Sequence, residues 1–128
     1  MNLNQITLPV SDIEKANQFY LTMGFTQIVK TDHYSRFECA NKATFSLVLA
    51  DNAVTNSAVI YFECDDLNQW VKSLKAKGIK FDTEIIEQRY LWHEAKLTDP
   101  SGNKIKLYWA GENRLNPPWR VDISAELE

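Results

Sequence analysis

The chain is poor in residues that staple or punctuate a backbone, with four glycines, four prolines and two cysteines in 128 residues. Two cysteines with no spacing pattern exclude a disulfide framework. Both, Cys39 and Cys64, fall on predicted core faces of strands, and they read as buried free thiols of a reducing compartment. No apolar run approaches the roughly 20 residues that cross a bilayer. The polar start from Asn2 turns straight into a strand pattern, unlike a signal peptide. An excess of one charge is missing too. Fourteen Lys and Arg stand against 17 Asp and Glu, interspersed, for a net charge of −3, which leaves no footprint for nucleic acid or a membrane surface. There is no Gly-rich phosphate loop, no Gly-x-Ser-x-Gly elbow and no Cys-x-x-Cys. The expectation is a soluble, cytoplasmic, globular protein.

What is present is alternation. Asp99-Pro100-Ser101-Gly102 has the chemistry of a tight turn, with Pro presetting φ and Gly accepting a positive one. After it Ile105, Leu107 and Trp109 point one way, and Lys104, Lys106 and Tyr108 the other. Before it Leu91, Ala95 and Leu97 oppose Tyr90, Trp92, Glu94 and Lys96. Gln5 to Val10 alternates likewise, with Ile6, Leu8 and Val10 inward and Pro9 marking an edge or bulge. A helix capped by Ser11 or Asp12 carries Ile13, Ala16, Phe19, Tyr20 and Met23 on one stripe and stops at Gly24. Strands are predicted at Thr26 to Lys30, Tyr34 to Cys39 and Thr44 to Ala50, followed by a polar connector from Asp51 to Ser57.

The pattern then recurs. Val59 to Cys64 is a strand, Asp65-Asp66 caps a helix with Leu67, Trp70, Val71 and Leu74, and Gly78 ends it. Trp70 reads as core. One offset carries Asp12 onto Asp66, Gly24 onto Gly78, Ile6 onto Ile60 and Gln5 onto Val59. A strand–helix–three-strand unit thus occurs twice, which fixes an α+β architecture. The predicted organisation is one domain over 1–128, made of a module at 1–52, a module at 57–110 and a tail at 111–128.

Each module is too small to bury both faces of its sheet. The helix covers one face. If the two sheets curl together, the other faces enclose a cavity; otherwise they are the solvated outside. Period-two counting puts Gln5, Thr7, Tyr34, Arg36, Glu38, Ser46 and Val48 on that face of the first module. In the second it puts Val59, Tyr61, Glu63, Trp92, Glu94, Lys96, Lys106 and Tyr108. Polar groups among aromatics suit a small-molecule site.

Ile6-Thr7-Leu8-Pro9-Val10-Ser11-Asp12, then Phe19-Tyr20 and Gly24-Phe25, resembles the opening of the vicinal oxygen chelate superfamily. Its members include glyoxalase I, bleomycin- and fosfomycin-resistance proteins and extradiol dioxygenases. Asp99-Pro100-Ser101-Gly102-Asn103 is similar to the superfamily's closing hairpin. Tyr108 to Arg114 with Pro117-Pro118-Trp119-Arg120 resembles a tail of bacterial members. The resemblance implies paired βαβββ modules forming a curled mixed sheet around a cavity. It also implies four positions for divalent-metal ligands, here Gln5, Val48, Val59 and Lys106. Val48 and Val59 offer no lone pair and Lys106 is a cation, so the pattern departs from metal chemistry and no metal or other cofactor is expected.

Three readings follow. The first is a metal-free cavity that binds a small molecule, with Gln5, Thr7, Tyr34, Arg36, Glu38, Tyr61, Trp92, Lys106 and Tyr108 as ligand-binding residues. The second is a glyoxalase-like lyase or isomerase, metal-dependent or using Lys106 with a carboxylate, Glu94 or Glu63. The third is a ligand-sensing or dimer-interaction module. A homodimer is expected, with Trp119 in the tail as a clasp.

Overall fold

A computed structural model describes residues 1–51 and 56–124. Part of the predicted connector, the first module's boundary at 52 and the end of the tail lie outside the described residues. Strand β1 (Gln5–Val10) leads into helix α1 (Ile13–Met23), then β2 (Thr26–Lys30), β3 (Tyr34–Glu38) and β4 (Thr44–Leu49). The second unit has β5 (Val59–Glu63), α2 (Leu67–Ala76), β6 (Ile86–Glu87), β7 (His93–Thr98) and β8 (Lys104–Trp109). A 3₁₀ turn at Gly111–Arg114 follows. Among the described residues no helix is long and apolar enough to cross a membrane.

The sheets are ordered β1-β4-β3-β2 and β5-β8-β7-β6, so the two βαβββ units share one topology. In each, the first strand pairs in parallel with the last and the rest is antiparallel. β1 is an edge strand, which is why Pro9, lacking an N–H, is tolerated there. Asp12 caps α1 by accepting from the Lys15 N–H at 3.0 Å, and Asp66 caps α2 through Gln69 N–H at 3.2 Å. Gly24 ends α1 at φ 106°, a conformation only glycine adopts at little cost.

One core runs through both units. Leu8, Val10, Tyr20, Phe37, Phe45 and Leu47 of the first join Val71, Leu74, Ala95, Leu97, Ile105 and Leu107 of the second. Phe62 bridges them, its ring 4.6 Å from Phe25 and 5.6 Å from Phe45. The closing hairpin is tied back to the first unit by polar bonds as well. Asn103 donates to the Pro9 carbonyl at 2.8 Å, and Ser101 Oγ accepts from the Ser11 N–H at 2.9 Å.

The sequence reading needs correction at six points. Trp109, placed with Ile105 and Leu107, is 41% exposed and packs on His93 at the strand's end. Leu91 is not in a strand: it has φ 72° in a turn closed by its N–H on the Gln88 carbonyl. Trp70 is not core; it is exposed, with its ring lying over Gly24. Cys64 is buried, but Cys39 is only half-buried. The sheets are separate rather than closed, leaving Val48, Val59 and Tyr61 exposed on their open faces. The repeat also breaks after Gly78, where β6 has two residues. Asp82 and Thr83 bond the edge of β7 irregularly instead. The Asp82 N–H meets the Lys96 carbonyl, and its carboxylate accepts from Thr98 Oγ1 at 2.6 Å. The Thr83 hydroxyl accepts the Lys96 N–H. Such side-chain bonds offer the backbone an alternative to a ladder.

Candidate functional site

The helix-free face of the first sheet carries a connected polar chain. Thr44 Oγ1 donates to Gln5 Oε1, and Gln5 Nε2 donates to Ser46 Oγ at 2.9 Å. Ser46 Oγ and Tyr34 Oη lie 2.7 Å apart. Arg36 donates to Tyr34 Oη from Nε at 3.1 Å and Nη2 at 2.8 Å. The bond to Ser46, and then that from Arg36, holds the Tyr34 phenol below the usual tyrosine range. Gln5, Tyr34 and Arg36 are therefore brought together. Thr7 is exposed, in register opposite Ser46. Glu38 stands apart at the strand's end, 3.9 Å from Lys42.

The second sheet's face is organised by an ion pair under aromatic rings. Glu94 on β7 is 2% exposed, and its Oε1 accepts from Lys106 Nζ at 2.8 Å and from Tyr90 Oη at 2.6 Å. Its Oε2 is buried with no hydrogen-bond partner. Lys106 Nζ also donates to Tyr61 Oη at 3.2 Å. Burial alone would lower the Lys106 ammonium; the bonds to Glu94 and Tyr61, with the Glu94 charge, outweigh it and hold the group above the usual lysine range. Burial, then the bond to Glu94, pushes the Tyr90 phenol up to about 12. Trp92 stacks on Tyr108 with centroids 4.8 Å apart, and Tyr61 meets both rings edge to face. The Trp92 indole is fixed by donating to the Asn113 carbonyl at 3.2 Å.

Of the expected residues here, Tyr61, Trp92, Glu94, Lys106 and Tyr108 come together. Glu94 and Tyr108 do so as buried supports rather than as exposed lining. Glu63 is diverted, 3.8 Å from Arg114 in the 3₁₀ turn. Sequence reasoning left Tyr90 out of the site, although its parity with Trp92 and Glu94 was the available signal. Arg114 gave none, because it lies past the end of β8 in the 3₁₀ turn, where strand alternation no longer applies.

The sheet register also corrects the metal alignment. Thr7 pairs with Ser46 as Tyr61 pairs with Lys106, so the counterpart of Lys106 is Ser46, not Val48. Ser46 Oγ is already engaged by Gln5 and Tyr34. Among the described residues no three His, Cys, Asp or Glu come together. Gln5, Ser46, Val59 and an ion-paired ammonium do not fit a divalent cation, which requires anionic or neutral donor atoms.

Twinned βαβββ units with half-open polar and aromatic faces define the class of α+β proteins to which this one is assigned. The chain belongs to the Glyoxalase/Bleomycin resistance protein/Dioxygenase superfamily, whose family model matches residues 2–107. Among crystal structures it is similar to a glyoxalase/bleomycin resistance protein/dioxygenase from Nocardioides, with a TM-score of 0.77 and 17% identity over 95% of this chain and 90% of that one. It is also similar to lactoylglutathione lyase from Agrobacterium tumefaciens, with a TM-score of 0.72 and 17% identity over 84% and 92% of the two chains. A bleomycin-binding protein in complex with bleomycin gives 0.70 and 18% over 85% and 98%. At these identities the likeness establishes the fold. No curated protein matches the sequence.

Proposed function

We propose that the chain, acting as one unit over 1–128, binds a small molecule on its inner faces without a metal ion. The observation that carries this reading is the Lys106–Glu94 pair, which sets a fixed ammonium 5.2 Å from the centre of the Tyr61 ring, with Tyr90 bonded to the same Glu94 and Trp92 packed on Tyr61. A structurally similar protein is a bleomycin-binding protein, which supports a binding role for this architecture. Gln5, Thr7, Tyr34, Arg36 and Glu38 contribute the polar part of the first face. Tyr61, Trp92, Lys106 and Tyr108 contribute the aromatic and charged part of the second.

A lyase or isomerase is the second reading, favoured by the unpartnered Oε2 of Glu94 beside the Lys106 ammonium. Against it, Lys106 stays protonated and is no base, and Glu94 is sealed from the face by its partners. Glu63 is the remaining carboxylate, engaged by Arg114. A dimer is proposed because Trp119, Val121 and Ile123 leave apolar surface exposed at the tail, and a cytoplasmic setting because both thiols are free.

The test is a ligand screen by thermal shift, run with and without EDTA on protein purified without chelators. Ligands are expected to stabilise the protein equally in both, and Trp92→Ala and the paired Lys106→Met/Glu94→Leu to abolish the shift. A stoichiometric metal whose removal lowers Tm, or turnover of lactoylglutathione lost in Lys106→Ala, would replace this reading with the enzymatic one.

A further inference from the structure

The donors and acceptors around Lys106 do not balance, and the imbalance describes a ligand. An ammonium has three N–H donors and accepts nothing. Lys106 spends one on Glu94 Oε1 and one on Tyr61 Oη, leaving a third, on a side chain 14% exposed. Because Nζ can only donate, the Tyr61 oxygen must accept, and the Tyr61 O–H is free on a residue 40% exposed. Two unspent donors thus stand 3.2 Å apart. The nearby acceptors are used or hidden. Glu94 Oε1 takes two bonds, and Oε2 is sealed inside.

Charge points the same way. Lys96 and Lys106 face each other directly across β7 and β8, an arrangement of like charges that destabilises a strand pair. Lys104 lies on the same face two residues before Lys106, by strand alternation. Among the described residues neither Lys96 nor Lys104 has a carboxylate within ion-pair distance. The buried Glu94 offsets one of these three charges. An anion resting there would satisfy the free donors and relieve the lysine repulsion together.

We propose that Lys106 Nζ and Tyr61 Oη form a two-pronged clamp for the carboxylate of an organic acid whose flat unsaturated part lies against Tyr90 and Trp92. The assignment rests on the small-molecule-binding reading above and narrows it to arylcarboxylates and similar flat organic acids.

Isothermal titration calorimetry at low salt tests it, with benzoate and phenylacetate set against benzamide, phenylacetamide and benzylamine. The carboxylates are expected to bind at least about tenfold more tightly than their amides, and benzylamine more weakly still. Tyr61→Phe, which leaves the buried ion pair intact, should weaken carboxylate binding several-fold and amide binding by a smaller factor, so that the preference for the acid narrows. The double variant Lys106→Met with Glu94→Leu avoids stranding a buried charge and should erase the preference. Amides or benzylamine binding as well as the carboxylates, or Tyr61→Phe and the double variant keeping the preference, would overturn the clamp and leave small-molecule binding standing. No heat from any probe at its solubility limit would overturn the clamp, while the thermal-shift screen decides small-molecule binding by itself.

Discussion

Lys106 and Glu94 carry most of what is unusual about this molecule at the scale of single residues. A buried carboxylate is tolerable only while its partner stays. Lys106→Met is therefore expected to destabilise the fold by about 3–5 kcal/mol, with Glu94 left uncompensated, and Lys106→Met/Glu94→Leu to recover most of the loss. Urea unfolding of the three proteins measures both steps; equal stability of the single and double variants would sink the argument. Across the molecule the phenols diverge. Tyr34 is held below the ordinary range by Ser46 and Arg36, while Tyr20, Tyr90 and Tyr108 are raised, burial being the first cause in each. Ultraviolet titration should show one early ionisation that Tyr34→Phe removes. The Lys106–Glu94 pair was legible in the sequence, because period-two counting put both side chains on one face. The depth of Glu94 was not, since it depends on Tyr90 donating to it from outside the strand and on the rings packed nearby.

Among the elements, the hairpin from β7 to β8 is tied to α1 by one carboxylate. Asp99 Oδ1 accepts the N–H groups of Ser101 and Asn103, both at 2.9 Å. Oδ2 accepts Tyr20 Oη at 2.7 Å and Asn103 Nδ2 at 2.9 Å. Four donors fill the acceptor sites of an ionised carboxylate. Tyr20→Phe removes a hydrogen bond to a charged group and should cost about 1.5–3 kcal/mol. Asp99→Asn should cost at least as much, because its amide N–H₂ would face donors. Chemical denaturation of the two variants decides this, and a neutral Asp99→Asn would contradict the network. From the sequence, Asp99-Pro100-Ser101-Gly102 announced the turn and the period of α1 announced Tyr20 as core. Nothing local joined them, since the contact spans the two units. The repeat of strand, helix and return strands was readable for the same reason the closure was not: alternation and capping are local, whereas β6 shrinks because Asp82 and Thr83 find partners on β7 that no repeat prescribes.

For the molecule as a whole, the buried ionisable groups set how stability responds to alkali. Burial, followed by neighbouring Asp65 and Glu63, pushes the Cys64 thiol up to about 11. Tyr90 rises to about 12, and Tyr20 and Lys106 are also raised. Each group holds its proton more tightly folded than unfolded, so the unfolded chain releases protons first as pH rises. The stability they confer is complete below the unfolded values, near 8.5 for a thiol and about 10 for phenols and ammonium, and is lost as pH climbs through the folded ones. Tm is therefore expected to stay level between roughly pH 6 and 8 and to fall progressively from about pH 9 upward. Differential scanning calorimetry across this range checks it. Burial raises the Cys39 thiol as well, so Cys64→Ala should reduce the early part of the fall and its combination with Cys39→Ala should delay the onset; a Tm that holds or rises through pH 11 would show that these groups are not buried as described.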